Sequence, residues 1–217
     1  MFIASRGVRC GRWKGERMID PDLGGRRRVL SALAALSLAG LPTLGLSGAA
    51  VAQDLLPTTP SCDDGDEPTP EQTAGPFYLP SSPRRSVLRE IDVAGTPITL
   101  AGHVLSRSCR PVPNVLVDIW HADDAGRYDV DGYRLRGHQF TDAQGRYVFE
   151  TILPGLYPGR TRHFHVRYQA SNGPVLTTQL YFPDEPANAR DRLFRPDLVV
   201  RVLDGPDPVM RFDAVLG

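Results

Sequence analysis

Residues 162–168 of this sequence are Arg-His-Phe-His-Val-Arg-Tyr, a run in which apolar and polar side chains alternate. Such alternation predicts a β-strand with one buried face, because successive side chains of a strand point to opposite sides of the sheet. Phe164, Val166 and Tyr168 should therefore face a core, and the two histidines should share the opposite face. The run indicates a chain built from strands, one of which carries a pair of histidines on a single surface.

Runs of similar length, alternating or continuously apolar and bounded by turn residues, recur along the chain at 98–105, 115–120, 146–151, 175–182 and 198–203. The 21 glycines and 20 prolines also suit many short strands joined by turns. No apolar stripe of helical period occurs beyond the first 52 residues. The sequence therefore predicts an all-β domain, an antiparallel β-sandwich or a barrel, with a single core.

The first 52 residues form a separate segment whose pattern predicts an export signal. Three arginines at 26–28 precede an apolar run, which ends in Ala-Val-Ala at 50–52, a small-x-small cleavage pattern. The arginine-containing stretch resembles a twin-arginine signal, which favours a periplasmic or secreted protein. Two alternatives stay open: the apolar run serves as an uncleaved membrane anchor, or translation starts at Met18.

Changing Arg26 and Arg27 together to lysine should trap the precursor in the cytoplasm, because the twin-arginine route requires this pair. The wild-type protein should be recovered outside the cytoplasm with Gln53 at or near its N-terminus. Cell fractionation and N-terminal sequencing measure both results. Normal export of the double variant would show that the leader works in another way.

Beyond position 52 the sequence predicts an extended arm at 53–95 and a sandwich domain at 96–217. The leader holds eight basic and three acidic residues, which leaves 17 basic and 22 acidic residues in the rest. This mildly acidic body argues against nucleic acid as a partner, and membrane contact is expected only through the export signal.

The body also contains Cys62 and Cys109, an even pair that predicts a disulfide in an exported protein, with two free buried thiols as the alternative.

The paired histidines predict a metal site. His163 and His165 lie two positions apart in the predicted strand, so their imidazoles are roughly 7 Å apart along one face and can converge on one ion. Tyr128 and Tyr157 precede them on predicted loops. Phenolate is a hard anionic donor that favours Fe(III) over Zn(II). Ferric iron with two tyrosinates, two neutral imidazoles and one hydroxide also sums to zero charge, which a partly buried site tolerates best.

These four residues, in this order, resemble the iron ligands of the intradiol ring-cleavage dioxygenases, a family that includes protocatechuate and catechol dioxygenases. The resemblance extends over segments 69–78, 117–128, 135–147 and 176–182. It implies an antiparallel β-sandwich with an extended N-terminal arm and Fe(3+) as the metal, with no organic cofactor. It also implies a catechol-type substrate, cleaved with O₂ between its two hydroxyl-bearing carbons to give a muconate-type diacid.

By the same resemblance, Arg160 and Gln179 match the active-site arginine and glutamine of the family. A guanidinium beside the metal would stabilise anionic oxygen, and Gln179 would hydrogen-bond the substrate or orient Arg160. Tyr157 is expected to act in catalysis by leaving the metal when a catechol binds. Outside the family pattern, a surface arginine and a solvent-facing strand residue would be the ordinary interpretations.

Two features depart from the family pattern and leave the substrate and the oligomeric state open, a homo-oligomer included. The segment between Tyr157 and His163 is short, and the long helical dimerisation region of catechol dioxygenases is missing. Residues near Thr73, Tyr78 and Asp129 are expected to set substrate selectivity.

Two other histidines and two alternative functions also have to be considered. His121 and His138 are interpreted as a neighbour of the signature strand and a surface histidine, and not as ligands. One alternative function is a non-catalytic, transthyretin-like binding module that retains the motif. The other is a zinc hydrolase using the His-x-His pair, which the lack of a nearby third carboxylate or histidine disfavours.

Overall fold

The computed structural model describes Leu56, residues 67–203 and residues 208–217, all of which belong to one compact unit. These residues contain nine strands: β1 (Pro97–Ser106), β2 (Leu116–Trp120), β3 (Arg136–Phe140), β4 (Arg146–Ile152), β5 (His163–Gln169), β6 (Val175–Tyr181), β7 (Arg201–Leu203), β8 (Val209–Arg211) and β9 (Ala214–Leu216). The helices in the described ranges are two short 3-10 helices, Pro186–Arg190 and Pro196–Leu198. None of the described helices has the length and hydropathy that a membrane span requires.

The strands form two sheets, which confirms the predicted β-sandwich. One sheet has the order β4-β1-β8-β7, with β9 also paired to β1, and the other has the order β3-β2-β5-β6. All pairs in the second sheet are antiparallel. In the first sheet the short strands β8 and β9 run parallel to β1. The second sheet carries the histidine strand, β5, near its centre.

The alternation along β5 fixes which way the histidines face. Phe164, Val166 and Tyr168 are fully buried in the main core, as the sequence predicts. They pack with residues from both sheets, including Phe149 of β4 and Ile119 of β2. Burying a side chain of this kind stabilises the fold by about 2–3 kcal/mol. Because the apolar side chains occupy the inner face, both histidines lie on the outer face of the second sheet.

The C-terminal region differs from the sequence prediction. The run 198–203, predicted as one strand, contains the end of a 3-10 helix at Leu198 and a strand only from Arg201 to Leu203. β8 and β9 were not predicted because each has three residues, too few for a period to appear. Their parallel pairing with β1 is a long-range contact that local pattern does not encode.

The N-terminal arm crosses the outer face of the second sheet from one edge to the other. At the β6 edge, the Gln72 backbone N–H donates to the carbonyl of Thr177 at 2.8 Å. Further along, residues 83–88 bond both to His138 of β3 and to Glu150 of β4. The arm therefore joins the two sheets at their open side, and it passes over the strand that carries the histidines.

In the oxidised protein, Cys62 and Cys109 should be bridged. Cys109 is disulfide-bonded in the structure, and Cys62 lies outside the described residues. The bridge would close a loop of about 48 residues and contribute roughly 3–4 kcal/mol in the chain-entropy model. Peptide mass spectrometry without reduction should find the cross-linked pair. Alkylation of Cys62 in the native protein would refute the pairing.

Candidate active site

The two histidines of β5 bring their imidazole nitrogens together. His163 and His165 are 4% and 3% exposed, and their Nε2 atoms lie 3.2 Å apart. The Nδ1 atom of His163 lies 2.7 Å from the carbonyl oxygen of Thr161. A carbonyl only accepts, so this Nδ1 carries the proton and the Nε2 of a neutral ring presents its lone pair. The Nε2 atoms of His163 and His165 are therefore close enough to bind the same metal ion.

Both rings are held in the neutral form. Burial lowers the pKa of His163 to about 4, against a partial upward effect of its bond to Thr161. Burial also lowers the pKa of His165 well below its usual value, and the neighbouring imidazole of His163 and the cations Arg160 and Arg136 lower it further. At neutral pH both imidazoles are uncharged, which is the form that binds a metal.

Tyr128 joins this pair from the loop that follows β2. Its hydroxyl oxygen lies 3.0 Å from the Nε2 of His163. The loop is held by Arg136, whose Nε and Nη2 donate to the carbonyl oxygen of Asp129. Burial raises the pKa of the Tyr128 phenol, although the cations of Arg160 and Arg136 partly oppose the effect. The phenol therefore needs a stronger positive charge beside it, such as a metal ion, to ionise at neutral pH.

Tyr157 lies on the loop between β4 and β5, beside Tyr128. The two phenol rings have their centroids 5.8 Å apart and meet edge to face. Phe77 of the arm stacks on the Tyr128 ring at 4.6 Å and contacts the Tyr157 ring edge-on at 5.5 Å. The Tyr157 carbonyl oxygen accepts a 2.9 Å bond from the backbone N–H of Arg160, closing a turn. One aromatic side chain of the arm thus positions both tyrosines.

The rest of this arm segment covers the histidines. Gly75 has φ +67°, and a Cβ on it would lie 3.1 Å from the Cε1 of His165, so a larger residue would be strained and would crowd the ring. Tyr78 contacts Trp120 at 4.9 Å between centroids. Trp120 in turn stacks on His165 at 5.0 Å with planes 3° apart. Aromatic and glycine residues therefore fix the orientation of His165 from both sides.

Arg160 and Gln179 meet next to the histidines. The Nη2 of Arg160 donates to the Oε1 of Gln179 at 2.6 Å, and the Nε2 of Gln179 donates to the carbonyl oxygen of Thr73 at 2.9 Å. Gln179 is fully buried and pairs with His165 across β5 and β6. The Nε of Arg160 donates to Asp191 at 2.8 Å. Gln179 therefore contacts Arg160 directly and does not face solvent.

Two further histidines, His121 and His138, have other partners. His121 is buried, with Nδ1 2.8 Å from the carbonyl oxygen of Ala122 and Nε2 2.6 Å from the hydroxyl of Thr151. Both of its nitrogens are thus engaged in the protein. His138 is half-buried, and its Nδ1 lies 3.1 Å from the hydroxyl of Ser82. Neither histidine joins the group at β5.

The donor set suits ferric iron better than zinc. Across the described ranges of the chain, no group of three histidine, cysteine, aspartate or glutamate side chains could hold a metal ion. A metal bound at the histidine pair would therefore rely on the phenols of Tyr128 and Tyr157. Two neutral imidazoles with two hard anionic phenolates match the preference of Fe(III). The residues present fit the ion that the sequence predicts.

The sequence did not single out three residues of this site: Gly75, Phe77 and Asp191. Gly75 and Phe77 belong to the segment 69–78 whose resemblance was noted, and the glycine beside a proline was a usable signal for a close backbone approach. Asp191 lies in a loop far along the chain with no pattern around it.

The three residues expected to set selectivity are also placed. Thr73 accepts a hydrogen bond from Gln179 through its carbonyl oxygen, and the ring of Tyr78 contacts that of Trp120 at a tilt of 59°. The Asp129 carboxylate instead accepts the backbone N–H groups of 131, 132 and 134 within its own turn. Thr73 and Tyr78 therefore lie over the histidine face, and the Asp129 side chain has a structural role in the tyrosine loop.

Comparison with known proteins gives one family. A family model described as Dioxygenase matches residues 74–203. The β chain of protocatechuate 3,4-dioxygenase from Burkholderia cepacia is 36% identical over 129 residues, which are 51% of this chain and 55% of that protein. Catechol 1,2-dioxygenase from Acinetobacter baylyi is 27% identical over 171 residues, covering 64% of this chain and 55% of that protein. The chain spans about half the length of these curated relatives.

Solved structures agree with the sequence matches. The dioxygenase domain of a dioxygenase–carbohydrate-binding protein fusion from Streptomyces sp. SirexAA-E has a TM-score of 0.67 and 52% identity, covering 69% of this chain and 98% of that one. The 3-chlorocatechol 1,2-dioxygenase of Rhodococcus opacus 1CP has a TM-score of 0.64 and 26% identity, covering 69% of this chain and 72% of that one.

Proposed function

Because the chain belongs to the intradiol ring-cleavage dioxygenase family, we propose that it cleaves a catechol-type ring between the two hydroxylated carbons. The reaction would use ferric iron, insert both atoms of O₂ and release a muconate-type diacid. The leader supports action outside the cytoplasm, in the periplasm or as a secreted enzyme.

The convergence of four donors at one place carries this proposal. Tyr128 and His163 lie 3.0 Å apart, His163 and His165 lie 3.2 Å apart, and Tyr157 contacts Tyr128 ring to ring. These residues come from two loops and one strand, so sequence proximity alone does not explain their meeting. Ferric iron bound by them would supply the redox chemistry that couples a catechol to O₂.

Arg160 would act on the substrate. Its guanidinium stands beside the donor group, held by Gln179 and Asp191, so it is oriented before any substrate arrives. A fixed cation stabilises negative charge that develops on the oxygens of a bound catechol, and it does so without reorganisation. Gln179 supports this role by accepting from Nη2, while Thr73 fixes the amide of Gln179.

Tyr157 would be the exchangeable donor. Both tyrosines are half-buried, but Tyr157 lies on a loop between exposed Leu156 and Pro158. Tyr128 instead has Phe77 stacked on its ring and a loop that Arg136 holds at Asp129. Of the two phenols that would hold the iron, that of Tyr157 would be the one able to give way to a substrate oxygen. The arm segment around Gly75 limits the access of water to the histidine side of the site.

The test is direct. The purified mature protein should contain one ferric iron per chain and show a broad visible band from tyrosinate-to-iron charge transfer. With catechol it should consume one O₂ per ring cleaved, measured by oxygen electrode and by the ultraviolet absorbance of the diacid. A colourless protein with stoichiometric zinc, inactive towards catechols after iron loading, would favour the hydrolase alternative instead.

A further inference from the structure

Asp191 is a buried carboxylate at the end of the 3-10 helix Pro186–Arg190. Its side chain is 1% exposed. One carboxylate oxygen, Oδ2, accepts from the Nε of Arg160 at 2.8 Å and from the backbone N–H of Thr161 at 2.9 Å. The other, Oδ1, accepts from the backbone N–H of Leu193 at 2.8 Å. The single side chain thus fixes its own loop and two successive residues before β5.

The carboxylate is charged in the folded protein. Burial by itself would raise the pKa of Asp191, but the N–H groups of Leu193 and Thr161 and the guanidinium of Arg160 lower it overall. Hydrogen bonds between ionised partners are about twice as strong as neutral ones. The guanidinium of Arg160 is held at two atoms, because its Nε donates to Asp191 and its Nη2 donates to Gln179. These two bonds restrict the rotation of the side chain.

The same oxygen also acts on the histidine. It binds the N–H of Thr161, and the carbonyl oxygen of Thr161 accepts from the Nδ1 of His163 at 2.7 Å. The backbone of Thr161 is thus held at its N–H by Asp191 and at its C=O by the imidazole, through two successive peptide groups. The position of the Arg160 guanidinium and the orientation of the His163 ring therefore both depend on Asp191.

We propose that Asp191 is a positioning residue of the active site, which sets the guanidinium of Arg160 in its working orientation and supports the His163 tautomer through Thr161. This inference rests on the function proposed above for the role of Arg160. The carboxylate of Asp191 bonds to Arg160, Thr161 and Leu193, so its effect on the site would pass through Arg160 and Thr161.

The chain contains a matched control pair. Arg162 and Glu185 come from the same two segments as Arg160 and Asp191, and the Nε of Arg162 donates to Glu185 at 2.7 Å. The other guanidinium bond of Arg162 goes to the carbonyl of Pro154. Glu185→Gln therefore removes a carboxylate charge from the same loop while leaving Arg160 alone.

The kinetic test is a double-mutant cycle. Asp191→Asn keeps one carbonyl oxygen for the N–H of Thr161 but loses the charge that holds Arg160. We expect kcat/KM to fall about 30-fold in the wild-type background and less than about threefold in an Arg160→Ala background, because the two residues act as one unit. Iron content should stay the same, and Glu185→Gln should change kcat/KM less than about twofold in either background. Equal losses in both backgrounds would overturn the proposal.

A second measurement does not depend on catalysis. In ¹H–¹⁵N spectra of the full mature protein, metal-free and loaded with diamagnetic gallium(III), the Nε–H of Arg160 should appear as a slowly exchanging signal. It is assigned by its loss in Arg160→Lys, and it should persist in Glu185→Gln and disappear in Asp191→Asn. A rapidly exchanging Arg160 Nε–H in the wild-type protein would overturn the proposal, even if Asp191→Asn failed to fold.

The two proposals fail separately. A protected Arg160 signal that depends on Asp191, in a wild-type protein with no ring-cleaving activity, would refute the proposed function and leave the positioning intact. Ring cleavage with an unprotected Arg160 would refute the positioning alone.

Discussion

Replacing His163 with alanine should abolish ring cleavage and lower the iron bound per chain at least about tenfold. The Nε2 of His163 lies within 3.2 Å of both the Tyr128 hydroxyl and the Nε2 of His165, so it occupies the centre of the donor group. His165→Ala should have the same effect. Metal analysis of the purified variants, together with the intensity of the visible band, measures the loss.

His138→Gln is the control for this prediction. His138 is a half-buried histidine of the same sheet whose Nδ1 contacts Ser82, away from the donors. Its variant should keep one iron per chain and an unchanged visible band. If His138→Gln lost the metal while His163→Ala retained it, the metal would bind at β3 and not at β5, and the prediction would be wrong.

The two tyrosines should respond differently to phenylalanine. Tyr128→Phe should lose most of the iron and of the charge-transfer band, because its hydroxyl lies against His163 and its ring is covered by Phe77. Tyr157→Phe should keep iron and bind catechol, with turnover lowered about a hundredfold or more, since product release needs the donor to return. With a catecholate dianion present, the charges of a ferric site balance only when one tyrosinate has left.

Anaerobic titration of both variants with catechol, followed by visible spectra, separates these outcomes. Tyr157→Phe should show a catechol-dependent spectral shift, and the shift should be absent or weak for Tyr128→Phe. The reverse result, with normal catechol binding by Tyr128→Phe and no iron in Tyr157→Phe, would exchange the roles of the two residues.

Much of the sandwich is readable from local pattern, and the rest is not. The alternation of Phe164, Val166 and Tyr168 specifies both the strand and its inner face, because burial of one face imposes a period of two. β8 and β9 escape prediction because they are stabilised by pairing with β1, a contact made across most of the sequence. Their three-residue length gives no room for a periodic signal.

The site divides in the same way. Histidines two apart in a strand must share a face, so His163 and His165 could be paired from the sequence alone. Tyr128 and Tyr157 could be placed on loops before the histidine strand, but loop residues carry no spacing rule that shows where they meet. The roles of Arg160 and Gln179 rested on the family resemblance. Asp191 was missed because its role depends on a contact with Arg160, which is 31 positions away in the sequence. No local pattern indicates such a contact.

The crossing of the arm over the second sheet also bears on self-association. Strands at the end of a sheet expose unpaired N–H and C=O groups that can recruit a strand from another molecule. β3 and β4 are such terminal strands, and residues 83–88 bond to both of them. The arm segment that covers the candidate active site is thus continuous with the segment that blocks intermolecular β-pairing. A proteolytic cut between Gln72 and residue 83 would therefore uncover the face that carries the histidines and, if it freed the arm, expose two sheet edges to aggregation.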